Sequence, residues 1–234
     1  VCRQSPIFSE RDVGFGDLLS RRLGVAVAVD SDVNLVALAE HWFGQGRELD
    51  DFLVISIERS LGLGILHRGE LFGGANGLSP DLGDFMVRGA ATAPARLGDL
   101  ATEDSLLAEV EGFSAGEGEG YAHDKALARA VQRAEAGEAK YVQALERAGE
   151  ALGFAIANLI TLFAPPKVLI CGRALAGSEL LLAPLRETVA ALLPPSLADV
   201  ADIVVREWSD DIWVRGSNST RSANCPRPGR TGGR

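Results

Sequence analysis

The sequence is short of several residue types, and each shortage excludes a class of protein. Basic side chains are not in excess: the 234 residues carry a net charge of -9, which argues against a nucleic-acid surface because phosphate binding needs clustered Lys and Arg. The three cysteines, Cys2, Cys171 and Cys225, lie far apart. This spacing excludes a Cys-x-x-Cys metal pair and favours the reducing cytoplasm over a disulfide framework.

Long apolar runs and targeting segments are also missing. The most apolar run, residues 151–164, is shorter than a membrane span and stops at Pro165 and Pro166, so we expect a buried helix there and no membrane partner. The first residues show no initiator Met, no basic region and no apolar region of a signal peptide. We therefore expect a truncated chain that begins inside a domain.

Apolar runs and helical periodicity alternate along the chain, which predicts an α/β domain. Strands are expected at residues 25–29, 52–57, 64–71, 167–172 and 201–208, with a tight turn at 58–64 and a loop at 73–84. Helices are expected at residues 11–24, 35–44, 122–163 with a break near Gly137, and 178–193. Residues 90–120 carry only short, weak helical patterns and a Gly/Glu stretch, which predicts a mobile or capping segment.

The last segment, residues 216–234, differs from the rest of the chain. It has no periodicity, four Arg and no acidic residue, and its Gly, Ser and Pro content predicts disorder. Two interpretations are open: a basic tail that touches nucleic acid, or a non-native sequence such as an out-of-frame read-through. We favour the second interpretation.

The stretch "VAVDSDVNLVALAEHWFG" places Asp30, Asp32 and Asn34 where a strand is expected to end and a helix to begin. In α/β proteins ligands bind at such positions. Asp32 is a candidate catalytic base or sugar contact. The alternative is structural, because Asp30, Ser31 or Asp32 could each cap the following helix.

Four motifs in the same order and spacing resemble the ROK family of bacterial sugar kinases and sugar-responsive transcriptional repressors. "VDSDVNLVALAE" resembles the family's Asn-Asp-Ala-Asn segment, and "SLGLGIL" its second phosphate loop, Gly-Thr-Gly-Ile-Gly. "GELFGGANGLSPDLGD" resembles its Gly-Ala-rich sugar loop, and "PPKVLICGRAL" its adenosine-side motif. The resemblance covers about residues 5 to 214.

The resemblance implies an actin-like ATPase fold of the ribonuclease H-like type, with two α/β lobes and a cleft between them. It assigns residues 1–34 to the end of the N-terminal lobe, 35–215 to the C-terminal lobe and 216–234 to a tail. The family's opening phosphate loop, and the helix-turn-helix that precedes it in the repressors, are not in this chain. The family also suggests a homodimer.

The resemblance assigns the sugar site to Ser31, Asp32, Asn34, Asp81 and Asp84. Asp32 takes the place of the family's base, but Ser31 replaces an Asn and loses its amide contacts. Asp81 replaces a Glu, and Asp84 replaces a His and adds negative charge. Both acids have a second interpretation as solvated loop residues. We expect Asp32 to contact sugar without acting as a base.

The phosphate and adenosine motifs are degenerate. Ser60 and Leu61 replace a Gly and the Thr whose hydroxyl holds phosphate in the family, and an apolar Leu cannot donate to a phosphate oxygen. Gly62 and Gly64 keep the backbone open to close approach, although a plain hairpin bend explains them equally well. Gly172 is kept, but Arg173 replaces a Gly and its bulk is expected to obstruct the adenine pocket.

A zinc site is not expected. Many family members carry a Cys-rich segment here, whereas residues 87–107 contain no Cys and cannot supply four tetrahedral ligands. The sugar-contacting Glu of that segment is also missing, unless Glu103 substitutes for it. His67 and His123 are expected to be lone surface histidines.

Three functions follow from these patterns. The first is the sugar-sensing effector domain of a ROK-type transcriptional regulator, which binds a sugar or sugar phosphate and reaches DNA only through an upstream helix-turn-helix. The second is an ATP-dependent hexose kinase, which alone would need ATP and Mg²⁺. The third is a non-functional truncated gene product. The degenerate phosphate motifs favour the first.

Overall fold

The computed structural model describes residues 13–74, 80–88, 93–113, 121–173, 175 and 177–207. The helices are α1 Phe15–Leu23, α2 Asp32–Phe43, α3 Gly98–Ala101, α4 Glu103–Glu111, α5 Tyr121–Glu135, α6 Ala139–Phe163 and α7 Glu179–Leu192. The strands are β1 Phe52–Ile57, β2 Leu61–His67, β3 Glu70–Leu71, β4 Met86–Arg88, β5 Pro94–Arg96, β6 Lys167–Gly172 and β7 Asp202–Glu207. The expected tail and the Gly/Glu stretch from residue 114 to 120 lie outside the described residues.

The main sheet has the order β3-β2-β1-β6-β7, with β1 at its centre. Strand β1 pairs antiparallel with β2 and parallel with β6, which pairs parallel with β7. All six residues of β1 are buried, because helices cover both faces of the sheet. The carboxyl ends of β1 and β6 therefore meet at one edge, and the predicted α/β class is confirmed.

The two faces of the sheet carry different helices. One face packs against α3 to α7 and forms the larger core, and the other packs against α2. Helices α6 and α7 pack closely because α6 has glycines at the crossing. A Cβ on Gly153 would lie 2.6 Å from the carbonyl oxygen of Leu185, and one on Gly149 would overlap that of Leu181. The expected break near Gly137 is confirmed, since that glycine lies between α5 and α6 with a φ of 83°.

The expected strand at residues 25–29 is wrong. The segment has no ladder partner among the described residues, and Val25 and Val29 stay about half exposed. The Val27 N–H donates to Ser20 Oγ of α1 at 2.9 Å instead of to a neighbouring strand. Apolar composition alone does not make a strand, because a ladder needs a second strand.

The hairpin also differs from the expectation. The turn occupies only Glu58–Ser60, and β2 begins at Leu61, so the two glycines at 62 and 64 lie inside a strand. Helix α2 begins at Asp32, three residues before the expected start. No helix among the described residues is long and apolar enough to cross a membrane.

Candidate functional site

The start of α2 forms a hydrogen-bonded turn that positions the predicted sugar-site residues. Ser31 is the N-cap, and its Oγ accepts from the Asn34 N–H at 3.3 Å. Asp30 Oδ1 accepts from the Ser31 N–H at 2.8 Å and from Asn34 Nδ2 at 2.6 Å. The cap is therefore Ser31, and Asp30 fixes the buried Asn34 side chain beneath it.

Asp32 occupies the first turn of α2, and its residue is exposed. Its Oδ1 accepts from the Val33 N–H at 2.7 Å. The positive end of the helix dipole favours the ionised carboxylate at this position. Because Ser31 caps the helix, the carboxylate of Asp32 is not needed as the cap and faces solvent, where a ligand hydroxyl could reach it.

Strand β2 lies directly beneath this turn. A Cβ on Gly62 would lie 2.9 Å from Val33 Cβ and would overlap Ser56 Oγ, and one on Gly64 would lie 3.1 Å from the Val33 carbonyl oxygen. These glycines allow α2 to pack on the strand. Asp81 forms an isolated antiparallel bridge with Gly62, so the structure brings Asp81 to the same place.

The other predicted site residues, Ser60, Leu61 and Asp84, do not join the residues at the start of α2. Leu61 is 3% exposed and packs into the larger core on the opposite face from α2, so it offers nothing to a phosphate. Ser60 is an exposed turn residue whose carbonyl accepts from the Glu58 N–H. Asp84 is exposed and pairs with Arg96 at 2.8 Å. Asp81, by contrast, stays near Gly62, and its Oδ1 accepts from the Gly83 N–H at 2.9 Å.

A second group of polar side chains lines a cleft of about 200 Å³ at the carboxyl ends of β1 and β6. We call it the charged cleft; its lining residues are Glu58, Arg59, Glu103, His123, Asp124 and Arg173. Gly172 ends β6 opposite Ile57 of β1, and Arg173 follows it. Since Gly62 pairs with Ser56 on the other side of β1, the backbones of β2 and β6 are roughly 10 Å apart here.

Ion pairs cross the charged cleft. Arg173 Nη1 lies 3.4 Å from Asp124 Oδ2, and Arg173 Nε lies 3.9 Å from Glu58 Oε1. Arg59 Nε lies 3.1 Å from Asp104 Oδ1. Both arginines are therefore already held by carboxylates of the same chain.

Glu103 is the most deeply buried acid of the charged cleft, with 3% of the residue exposed. Its Oε1 has no hydrogen-bond partner among the described residues. Burial, followed by the nearby charges of Glu58 and Asp124, raises the pKa of Glu103 to about 8. Its carboxyl group is therefore largely protonated at neutral pH. No described residue at the start of α2 lines this cleft.

The expectation that His67 and His123 are lone surface histidines is wrong for His123, which is buried, and half right for His67, which is exposed but paired. His123 is 2% exposed, and its Nε2 lies 2.9 Å from Asp104 Oδ1. His67 is exposed, but its Nδ1 lies 2.7 Å from Asp51 Oδ1. Spacing in sequence did not reveal either pair, because both are formed by residues more than 15 positions apart.

Buried polar groups also fix α2 on the sheet. Glu40 is 1% exposed; its Oε2 accepts from the Gln45 N–H at 2.7 Å and its Oε1 from Arg206 Nε of β7 at 3.3 Å. Burial, together with the negative charge of Glu40, raises the pKa of Cys171 to about 12, so this thiol stays protonated and unreactive.

No group of three or more His, Cys, Asp or Glu side chains in the described part of the chain is arranged to hold a metal ion. The expected absence of zinc remains a prediction. The charged cleft was missed at the sequence level. The available signal was that Glu58 and Arg173 directly follow the two parallel strands, as ligand-binding residues do in α/β folds. Nothing in the sequence placed Glu103 or His123 beside them.

The known proteins that this chain resembles include a glucokinase and a repressor. A sequence model of the ROK family matches residues 2–220. A glucokinase from Halalkalibacterium halodurans is 28% identical over 220 residues, which cover 88% of this chain and 66% of the relative. A xylose repressor from Caldicellulosiruptor bescii is 26% identical over 196 residues, which cover 79% of this chain and 49% of the relative.

A solved structure supports the same fold. The ROK family transcriptional regulator described as a homologue of the E. coli MLC protein superposes with a TM-score of 0.75 at 23% identity, covering 94% of this chain and 58% of that chain. This chain thus spans about half to two thirds of the length of these relatives.

Proposed function

Because the chain belongs to the ROK family, whose members include both kinases and repressors, we propose that it is the sugar-sensing part of a transcriptional regulator and does not transfer phosphate. One observation carries this proposal: acids and internally paired arginines line the charged cleft at the carboxyl ends of β1 and β6, next to the adenosine-side motif.

A nucleoside triphosphate such as ATP is a poor ligand for that cleft. Its phosphates need free cations and backbone donors. Arg173 is paired with Asp124, and Glu58 adds a further negative charge nearby. Leu61 is buried in the core and has no hydroxyl to offer.

The start of α2 supports the proposed sugar contact. Asp32 is exposed at the start of α2, and Asp81 is linked through Gly62 to the strand beneath it. Carboxylates accept hydrogen bonds from sugar hydroxyls without any proton transfer. We therefore assign Ser31, Asp32 and Asp81 to sugar contact, while the buried Asn34 supports the turn.

In this proposal sugar binding shifts an equilibrium between two arrangements of the lobes in a cytoplasmic homodimer. DNA affinity would change through an upstream helix-turn-helix outside this chain. The proposal needs neither zinc nor ATP.

Calorimetric titration with glucose, xylose and N-acetylglucosamine tests the sugar assignment. We expect at least one of these sugars to bind, and Asp32→Asn to weaken its affinity by roughly tenfold, the loss of a charge-assisted hydrogen bond. Asp17→Asn, an exposed acid on α1, is the matched control and should bind as the wild type does. No binding of any of the sugars, or equal binding by the two variants, would contradict the assignment.

A hexose kinase is the second candidate. The alignment to the glucokinase covers more of this chain than the alignment to the xylose repressor, 88% against 79%. Asp32 is also exposed at a helix start, where a base could act. A kinase would release ADP when a hexose is added to the protein with ATP and Mg²⁺.

A further inference from the structure

The charged cleft contains a buried acid, Glu103, that forms no ion pair with any described residue. Arg59 is paired with Asp104, and Arg173 with Asp124. Glu103 remains, buried and without an ion pair among the described residues, and its Oε1 lacks a hydrogen-bond partner. A buried polar atom without a partner is uncommon and calls for a specific explanation.

Three ligand classes can be compared at this cleft. An anion is disfavoured, because both arginines are held by carboxylates and Glu58 and Asp124 lie beside them. A metal ion is disfavoured, because the described residues include no cluster of three ligating side chains. An organic ammonium ion needs only one buried carboxylate and neighbouring acceptors, since its three N–H groups can turn toward whichever oxygens are present.

We propose that the charged cleft is a binding site for a small organic ammonium ion, which pairs with the buried carboxylate of Glu103. The volume of about 200 Å³ corresponds to roughly six or seven water molecules, which suits a small amine. Glu58 and Asp124 flank Glu103 and supply further acceptors. The proposal goes beyond sugar sensing and concerns a cleft that no described residue at the start of α2 lines.

Binding would be coupled to loss of a proton from Glu103. The carboxyl group has a pKa of about 8, so it is protonated at pH 6 and must ionise to pair with the ammonium group. The other titratable or charged groups that face it are Glu58 and Arg59 from the β1–β2 turn, Asp104 from α4, His123 and Asp124 from α5, and Arg173 after β6.

Calorimetric titration with 1,4-diaminobutane at pH 6, 7 and 8 tests the proposal on the whole chain. We expect the affinity to increase roughly tenfold for each unit by which the pH is raised from 6 to 8. Binding should release a proton, as linkage to one ionising carboxyl requires. Glu103→Gln, which keeps the size of the side chain, should lose both the binding and its pH dependence. Glu146→Gln, an exposed change on α6, should bind as the wild type does.

Two further probes separate the sources of the signal. 1-Butanol has no charge and should not bind. Nα-acetyl-lysine methylamide presents the ammonium group of a protein lysine; binding of this probe without binding of the diamine would overturn the assignment to a small free amine. Failure of the diamine to bind at pH 8, or unchanged binding by a folded Glu103→Gln protein, would overturn the proposal itself. Circular dichroism of each variant shows that it is folded.

Discussion

At residue 62, a hydrogen atom is all that the space between β2 and α2 permits. A Cβ there would meet Ser56 Oγ and Val33 Cβ, so the glycine serves helix packing. We expect Gly62→Ala to lower the free energy of unfolding by about 1–3 kcal/mol, the usual cost of overpacking a core. Urea denaturation measures this change.

Gly177→Ala is the matched control for Gly62→Ala. A Cβ at Gly177 has no neighbour within 4 Å, so this substitution should change the unfolding free energy little. Equal stability of the two variants would show that α2 does not pack on β2 as described.

Glu103 makes the stability of the protein depend on pH. Folding raises its pKa from 4.5 to about 8. Between pH 4.5 and 8 the folded protein therefore keeps a proton on Glu103 that the unfolded protein has released. Stability conferred by the protonated group is therefore complete below pH 4.5 and lost as pH rises to about 8. As the pH rises from 4.5 to 8.5, the free energy of unfolding of Glu103→Gln should increase relative to that of wild type by on the order of 2–4 kcal/mol.

Urea denaturation of wild type and Glu103→Gln at these two pH values checks this prediction. The difference between the two proteins isolates Glu103 from the other carboxyl groups. A difference that does not change with pH would mean that the carboxyl group is ionised in the folded protein at neutral pH.

Helix α2 is held at both ends by polar side chains, with Ser31 at its start and Glu40 near its end. Glu40 accepts from the Gln45 N–H and from Arg206 of β7 while itself buried. Glu40→Ala should cost about 2–3 kcal/mol, less than a fully buried pair because Arg206 is partly exposed. Glu48→Ala, an exposed change beyond the end of the helix, should cost almost nothing in the same urea titration.

The close crossing of α6 and α7 predicts that a side chain added at Gly149 lowers the stability of the protein. Gly149→Ala improves helix propensity by about 1 kcal/mol, but its Cβ would overlap the Leu181 carbonyl oxygen. We expect a net loss of roughly 1–3 kcal/mol. The neighbouring exposed change Glu150→Ala should leave the thermal midpoint nearly unchanged, and a Gly149→Ala protein as stable as wild type would contradict the close crossing.

Strands and helices were predictable from sequence where local pattern and tertiary packing agree. Strand β6 and the break at Gly137 are examples, since a buried apolar run and a glycine with positive φ each specify one local structure. The strand expected at residues 25–29 fails because pairing depends on a second strand. The charged cleft was predictable only in part: Glu58 and Arg173 directly follow parallel strands, but Glu103 and His123 reach them only through the packing of α4 and α5.

The two proposed sites lie at the same end of the sheet. One, proposed for sugar contact, lies where α2 begins over β2 and includes Asp32 and Asp81. The other is the charged cleft at the carboxyl ends of β1 and β6, where Arg173 is paired inside the chain. The assignment of residues 1–34 to an N-terminal lobe remains a prediction; within it, α1 has no buried residue, and Leu18 and Leu23 are largely exposed.

The central claim is that the sugar site persists without phosphate transfer, and a coupled ADP-release assay tests it most directly. The protein is supplied with ATP, Mg²⁺ and, in turn, glucose, xylose and N-acetylglucosamine at concentrations that saturate any binding seen by calorimetry. We predict ADP release no faster than in the sugar-free control for wild type and for Asp32→Asn alike. Sugar-dependent ADP release by the wild type that disappears in Asp32→Asn would show that Asp32 is a working base and that the protein is a kinase.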